Sequence, residues 1–153
     1  MLQLPLLDKD DLLEALFAER GTGDAGWRRQ LSRESDALLE TRARAAAGAV
    51  IVSFWHLPGM AAESGTPTAW LSSLPGAAVH VRCVCDTDVA ARRFRGRARH
   101  AGHLDAQRLE AELIADFDKL AACPPLALAP ALDVDTNRAV DVHALARQIL
   151  RQL

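Results

Sequence analysis

The chain has 153 residues, the length of one ordinary domain. Its 18 basic and 20 acidic residues leave a formal net charge of −2, which argues against a general binder of nucleic acid or of acidic membranes. Half of the residues are hydrophobic and a quarter are charged, as in most folded globular proteins. We therefore expect one globular domain over residues 1–153.

The amino terminus and the cysteine content predict a cytoplasmic protein. Acidic residues at Asp8, Asp10 and Asp11 interrupt the first apolar run, and no basic region precedes it, so it does not resemble a signal peptide. No stretch approaches the roughly 18 apolar residues of a membrane-spanning helix. Three cysteines are too few, and odd in number, for a disulfide framework. We expect reduced thiols.

Short apolar segments alternate with helical patterns along the chain. The segment 49–55 (AVIVSFW) is almost wholly apolar and β-branched or aromatic, which is typical of a strand covered on both faces and hence of a parallel sheet. Strands that alternate with helices predict an α/β fold with three αβα layers. Predicted strands cover 4–7, 49–55, 77–85 and 132–135, and predicted helices cover 10–20, 27–47, 68–74, 86–99, 105–122 and 141–150.

Polar side chains follow each predicted strand, at the sheet edge where parallel sheets bind ligands. Helix caps prefer the same residue types, and we interpret Asp86, Asp88 and Asp141 as caps. Asp8 and Asp10 are equally consistent with caps and with a site for a cation or substrate. In chain order the residues at this edge are Asp8, Lys9, Asp10, Asp11, Trp55, His56, Asp86, Asp88, Thr136 and Asn137.

Five arginines fall within the eight residues 92–99. Because like charges on one helix repel, this segment favours an anionic partner, although a solvated face or an RNA contact would also fit. RNA ranks lower, since Phe94 is the segment's one aromatic residue and the whole chain is acidic. Cys83 and Cys85 are better explained by packing than by zinc, and we predict no metal site.

Three segments resemble a known family. Residues 6–12 (LLDKDDL), 64–71 (SGTPTAWL) and 93–105 (RFRGRARHAGHLD) are similar to segments of small P-loop kinases. These include chloramphenicol phosphotransferase-like, zeta-toxin-like and polynucleotide-kinase-like proteins, often described as AAA-family ATP-binding proteins. The resemblance extends over nearly the whole chain and implies an ATP-dependent phosphotransferase that acts on a small molecule or nucleotide.

The resemblance also implies residue roles. Asp10 would accept the proton of the substrate hydroxyl as the catalytic base. The lid, at about 92–104, would place its arginines over the nucleotide phosphates and stabilise the charge of the transferring group. The implied lid residues are Arg93, Arg97 and Arg99, the substrate-binding residues are Asp8, Lys9, Trp55 and His56, and the nucleotide-binding residues are Arg93, Arg97, Thr136 and Asn137.

The chain departs from the family at one motif. The family begins with a strand, a phosphate-cradling loop and a helix, but no Gly-x-x-x-x-Gly-Lys-[Ser/Thr] occurs in these 153 residues. ATP and Mg²⁺ are the cofactors that the family implies, and without that loop the chain lacks the backbone nest, lysine and hydroxyl that bind them. We expect a truncated kinase-like domain that is inactive by itself. The alternative is a non-catalytic anion- or RNA-binding interaction domain.

The missing first strand also affects the expected sheet. In the family this strand lies between the strands that correspond here to 49–55 and 77–85. We expect those two strands to pair directly, although a second chain could instead fill the gap and form a dimer through the exposed edges. The substrate remains open between a drug, a sugar nucleotide and a polynucleotide end.

Overall fold

The fold, given by a computed structural model that describes residues 3–127 and 130–153, alternates strands with helices as expected. The strands are β1 (Leu6–Asp8), β2 (Val50–Val52), β3 (His80–Val84) and β4 (Ala131–Asp135). The α-helices are α1 (Lys9–Arg20), α2 (Ala25–Ala45), α3 (Thr87–Gly96), α4 (Glu110–Ala121) and α5 (Val142–Leu150). Short 3₁₀ turns cover Ala69–Ser73, Ala101–His103 and Asp105–Gln107.

Aspartates begin three of the helices. Asp8 Oδ1 accepts a hydrogen bond from the backbone N–H of Asp10 at 2.9 Å, and Asp24 Oδ1 accepts from Trp27 N at 2.9 Å. Asp141 caps α5 through the backbone N–H groups of residues 143 and 144, which confirms its predicted role. A short acceptor at these positions satisfies amides that have no partner within the helix.

The strands form two separate parallel pairs. Leu6 lies opposite Val50 in the β1–β2 pair, and His80 lies opposite Ala131 in the β3–β4 pair. The expectation that the second and third strands pair directly is wrong for the described residues. β2 pairs along one edge with β1, and its other edge has no strand partner among the described residues.

Residues 49–55 are not a strand covered on both faces. The strand stops at Val52, and Phe54 is 54% exposed. Trp55 then forms an isolated bridge with the buried Thr66, in the loop that follows. An apolar run forms a buried strand only where other elements cover its faces. β2 pairs with β1 alone among the described residues.

The main core lies between α1 and α2. Leu13, Leu16, Phe17 and Leu31 pack together, with Trp27 against them. Each such side chain contributes about 1.5–3 kcal/mol on burial. This cluster fixes the angle between the two helices, and so determines which side chains of α2 face the first turn of α1.

Several predicted boundaries differ from the structure. The helix expected from 105 begins at Glu110, because the backbone of Arg108 and Leu109 is extended and separates it from the 3₁₀ turn at Asp105–Gln107. The helix expected to reach 99 ends at Gly96, and the one expected over 68–74 is a 3₁₀ turn. Within ranges 3–127 and 130–153, none of the helices is long and apolar enough to span a membrane.

Candidate functional site

Asp10 and Arg99 form the centre of the site. Asp10 stands exposed in the first turn of α1, where β1 ends, and its Oδ2 accepts a hydrogen bond from Arg99 Nη2. The Arg99 side chain is 16% exposed, and its Nη1 also donates to Asp105 Oδ2 at 3.1 Å. One guanidinium thus links two carboxylates that are distant in sequence, a charge-assisted contact of the strong kind.

Arg97 joins the same group. Its Nη2 lies 3.3 Å from Asp105 Oδ2, and its guanidinium carbon lies 4.3 Å from the centre of the Phe94 ring. The structure therefore brings three of the predicted catalytic residues, Asp10, Arg97 and Arg99, together around Asp105.

The Arg-rich segment (residues 92–104) is docked on α1. His100 stacks on the Phe17 ring with centroids 5.2 Å apart, and His103 meets the same ring edge-on at 5.6 Å. His103 Nε2 donates to Glu14 Oε1 at 3.0 Å. Burial lowers the pKa of His103 and outweighs the opposing effect of Glu14, so the imidazole is held neutral.

A second group of predicted residues lies at the ends of β3 and β4. Arg93 Nη2 donates to the carbonyl oxygen of Thr136 at 2.7 Å. Asn137 Oδ1 accepts from the backbone N–H of Asp86 at 3.0 Å, and Asn137 Nδ2 donates to Asp86 Oδ1 at 3.3 Å. The predicted nucleotide-side residues Arg93, Thr136 and Asn137 are thus neighbours. Asp86 occupies the cap position of α3, but its carboxylate contacts Asn137 rather than the helix amides.

Lys9 and Asp8 have structural contacts. Lys9 Nζ lies 2.6 Å from Asp36 Oδ1 on α2, and both side chains are largely buried. Asp8 caps α1, and burial raises the pKa of its carboxyl group. Lys9 points into the α1–α2 interface, so its predicted contact with a substrate would require breaking that ion pair.

Trp55 and His56 lie against the following loop. The rings of Trp55 and Trp70 are 6.2 Å apart, and His56 Nδ1 donates to the Ser64 carbonyl oxygen at 2.6 Å. His56 also lines a cavity of about 290 Å³ with Pro58, Thr68, Ala69, Ser72, Leu126 and Ala127. None of the side chains around Asp10 lines this cavity, so the predicted substrate residues divide between two places.

Arg28 on α2 lies in no sequence motif and was not predicted as a site residue. Its Nε is buried and has no hydrogen-bond partner among the described residues. Burial lowers the pKa of Arg28, and Asp105, Arg99 and Asp10 are the charged residues that affect this pKa most. Its position along the helix indicates partial burial, because residues 28, 31, 35 and 39 lie on one helical face and the last three are fully buried.

The residues around Asp10 do not fit a magnesium site. In the part of the chain that the structure describes, no three acidic, histidine or cysteine side chains are grouped as metal ligands. Asp8 is used as a cap and Asp10 contacts Arg99, so the acids of the first turn do not converge on a common point.

No protein-family model matches the chain, and no curated protein matches it. A solved structure described as that of a "putative kinase" from Chloroflexus aurantiacus J-10-fl superposes with a TM-score of 0.76. The match covers 99% of this chain and 85% of that chain, at 23% sequence identity. The chain therefore has a kinase-like α/β fold.

Proposed function

We propose that this chain carries the acceptor and lid residues of an ATP-dependent small-molecule phosphotransferase of the P-loop type. Transfer would require a phosphate-binding loop that these 153 residues do not contain. The observation that carries the proposal is the contact between Asp10, at the carboxyl end of β1, and Arg99 of the Arg-rich segment. A carboxylate beside a guanidinium, at the ligand-binding edge of a parallel sheet, suits the acceptor end of such a reaction.

In this reaction Asp10 would accept the proton of the substrate hydroxyl. The hydroxyl oxygen would form a bond to the terminal phosphorus of ATP as the bond from that phosphorus to the leaving ADP breaks. Arg99 and Arg97 would exchange carboxylate contacts for oxygens of the transferring group and stabilise their charge. The half-exposed position of the Asp10 side chain leaves it accessible to a hydroxyl.

The first test is nucleotide binding by the 153-residue chain. We expect calorimetry to detect no tight binding of ATP with Mg²⁺, because the described residues form no metal site and the sequence has no phosphate-binding loop. Tight binding would contradict the proposed need for that loop.

The second test concerns transfer itself. If the upstream DNA encodes the first strand, phosphate-binding loop and helix in frame, the longer protein should hydrolyse ATP or transfer its terminal phosphate. Asp10→Asn should then lower kcat by about 10²-fold or more, since it removes a general base. Asp11→Asn, one residue along and also exposed, is the matched control. Equal rates for Asp10→Asn and the wild type would overturn the assignment.

A second candidate function rests on the exposed arginines of the same segment. The side chain of Arg92 is 70% exposed and that of Arg95 is 56% exposed, so both are accessible to a polyanion. A non-catalytic anion- or RNA-binding domain would bind a single-stranded RNA with strong salt dependence. Joint replacement of Arg95, Arg97 and Arg99 should weaken that binding, and no effect would remove this candidate.

A further inference from the structure

Arg28 is a half-buried cation whose charge is not neutralised by any contact within the described residues. Its side chain forms no hydrogen bond and no ion pair there, and its Nε is inaccessible to solvent. A guanidinium stays charged in proteins. Keeping such a charge partly out of water without a counter-ion is unfavourable, so its position calls for an anion that the chain itself does not provide.

The carboxylates whose charges act most on Arg28 are already paired with other arginines. Asp105 and Asp10 are the acids whose charge acts most on Arg28. Both already accept hydrogen bonds from Arg99, and Asp105 also accepts one from Arg97. With Arg99 close by as a like charge, Arg28 increases the positive potential beside Asp10 rather than completing an ion pair.

We propose that Arg28 binds an anionic group, a carboxylate or a phosphate, of the acceptor molecule whose hydroxyl is placed at Asp10. This inference rests on the proposed function and names its substrate class, a small hydroxylated anion. A guanidinium offers a planar fork that matches either group with two parallel hydrogen bonds. Two anchors, one for the anion and one for the hydroxyl, would fix the acceptor's orientation.

This arrangement excludes neutral acceptors of similar size. A neutral polyol would leave the half-buried Arg28 without a partner, and a site with an unpaired polar group binds such an analogue less tightly. The acceptor's charge should therefore contribute more to selectivity than its hydroxyl pattern.

The test measures binding without any phosphate donor. Glycerol 3-phosphate, glycerate and glycerol serve as phosphate, carboxylate and neutral probes, and inorganic phosphate serves as an anion without a hydroxyl. We expect calorimetry to detect one or both organic anions but not glycerol. Arg28→Gln should weaken the anion by at least about tenfold. Arg29→Gln, an exposed neighbour on the same helix, should bind as the wild type does.

Thermal unfolding distinguishes a binding role from a structural one. The anion should raise the Tm of the wild type and of Arg29→Gln, but not that of Arg28→Gln. Without anion, Arg28→Gln should unfold at the same temperature as the wild type or higher, because it removes an unneutralised charge. A lower Tm with unchanged anion affinity, or equal binding of glycerol and glycerol 3-phosphate, would overturn the inference.

Different results would contradict the anion site at Arg28 and the proposed phosphotransferase function. Anion binding that depends on Arg28, together with transfer by the longer protein that Asp10→Asn leaves unchanged, would support this inference and refute the proposed function. Transfer to a neutral acceptor, unaffected by Arg28→Gln, would support the proposed function and refute this inference.

Discussion

Gly102 lies directly against the Phe17 ring, so that a Cβ added at Gly102 would stand 2.7 Å from Phe17 Cδ2 and Cε2. Phe17 is almost fully buried in the α1–α2 core and cannot move aside without disturbing it. The glycine thus allows the Arg-rich segment to approach α1 closely enough for Arg99 to contact Asp10 and for His103 to contact Glu14.

We expect Gly102→Ala to destabilise the fold by about 1–3 kcal/mol, the usual cost of forcing an extra methyl group into a packed site. Denaturant unfolding measures the change. Gly96→Ala is the matched control, because a Cβ at Gly96 meets no atom within 4 Å. If both variants unfold at the same midpoint, the close approach of Gly102 to Phe17 does not limit the docking of this segment.

The second prediction concerns the cap of α1. Asp8→Ala should cost about 1 kcal/mol of stability, because the backbone N–H of Asp10 loses its acceptor. Asp8→Asn should retain stability or gain some, since it keeps an acceptor and removes a charge that burial disfavours, as the raised pKa of Asp8 indicates. Urea unfolding compares the two. Equal losses for Ala and Asn would show that the charge, and not the cap, is what stabilises this position.

The third prediction is a loss of stability in mild acid. Burial lowers the pKa of His103 and of His80 in the folded chain below the ordinary value of 6.5. As the pH falls below about 6.5, the unfolded chain binds protons that the folded chain does not, so the free energy of unfolding falls. Above that pH the contribution of these histidines to stability is complete.

Tm measured between pH 7.5 and 5.5 tests this dependence. His103→Gln should reduce the slope of Tm against pH, and adding His80→Gln should reduce it further. An unchanged slope in the double variant would assign the acid sensitivity to other groups.

The fourth prediction concerns the open edge of β2. Val52 and Phe54 are 43% and 54% exposed, and β1 is the one strand paired with β2 in ranges 3–127 and 130–153. We propose that two copies of the chain associate through this edge, because exposed apolar strand edges pair readily. Sedimentation velocity should detect association that rises with concentration and weakens in Phe54→Lys. Leu109→Lys, at a more exposed apolar position that precedes α4, is the control, and equal weakening by both would exclude this edge.

The sequence patterns predicted the positions of helices and strands better than they predicted which strands pair. Apolar periodicity and capping residues identify α1, α2 and α5 because these signals are local. The pairing of strands is not local. The apolar run at 49–55 indicated a buried strand, whereas the structure has a strand over Val50–Val52 that pairs with β1, and beyond it a single bridge from Trp55 to Thr66.

The residues of the candidate site could be predicted where they lie within a sequence motif. The resemblance placed Asp10 and Arg99 in one site, and the structure brings them into contact across 89 residues of sequence. Arg28 carried no motif, and only its position on the buried face of α2 distinguishes it from the other arginines of that helix. Lys9 lies within the same motif and forms an ion pair with Asp36 on α2, and its contact with a substrate stays a prediction.

Each of the two parallel strand pairs joins residues within one half of the chain. Leu6 reaches Val50 within the first half, and Arg82 reaches Asp133, 51 residues away, within the second. Arg99 and His103 hold the second half to α1 of the first. An acceptor held by Arg28 of the first half, with its hydroxyl beside Arg99 of the second, would therefore connect one half to the other. Its binding should make the two halves unfold as one cooperative unit, a property that hydrogen exchange measures residue by residue.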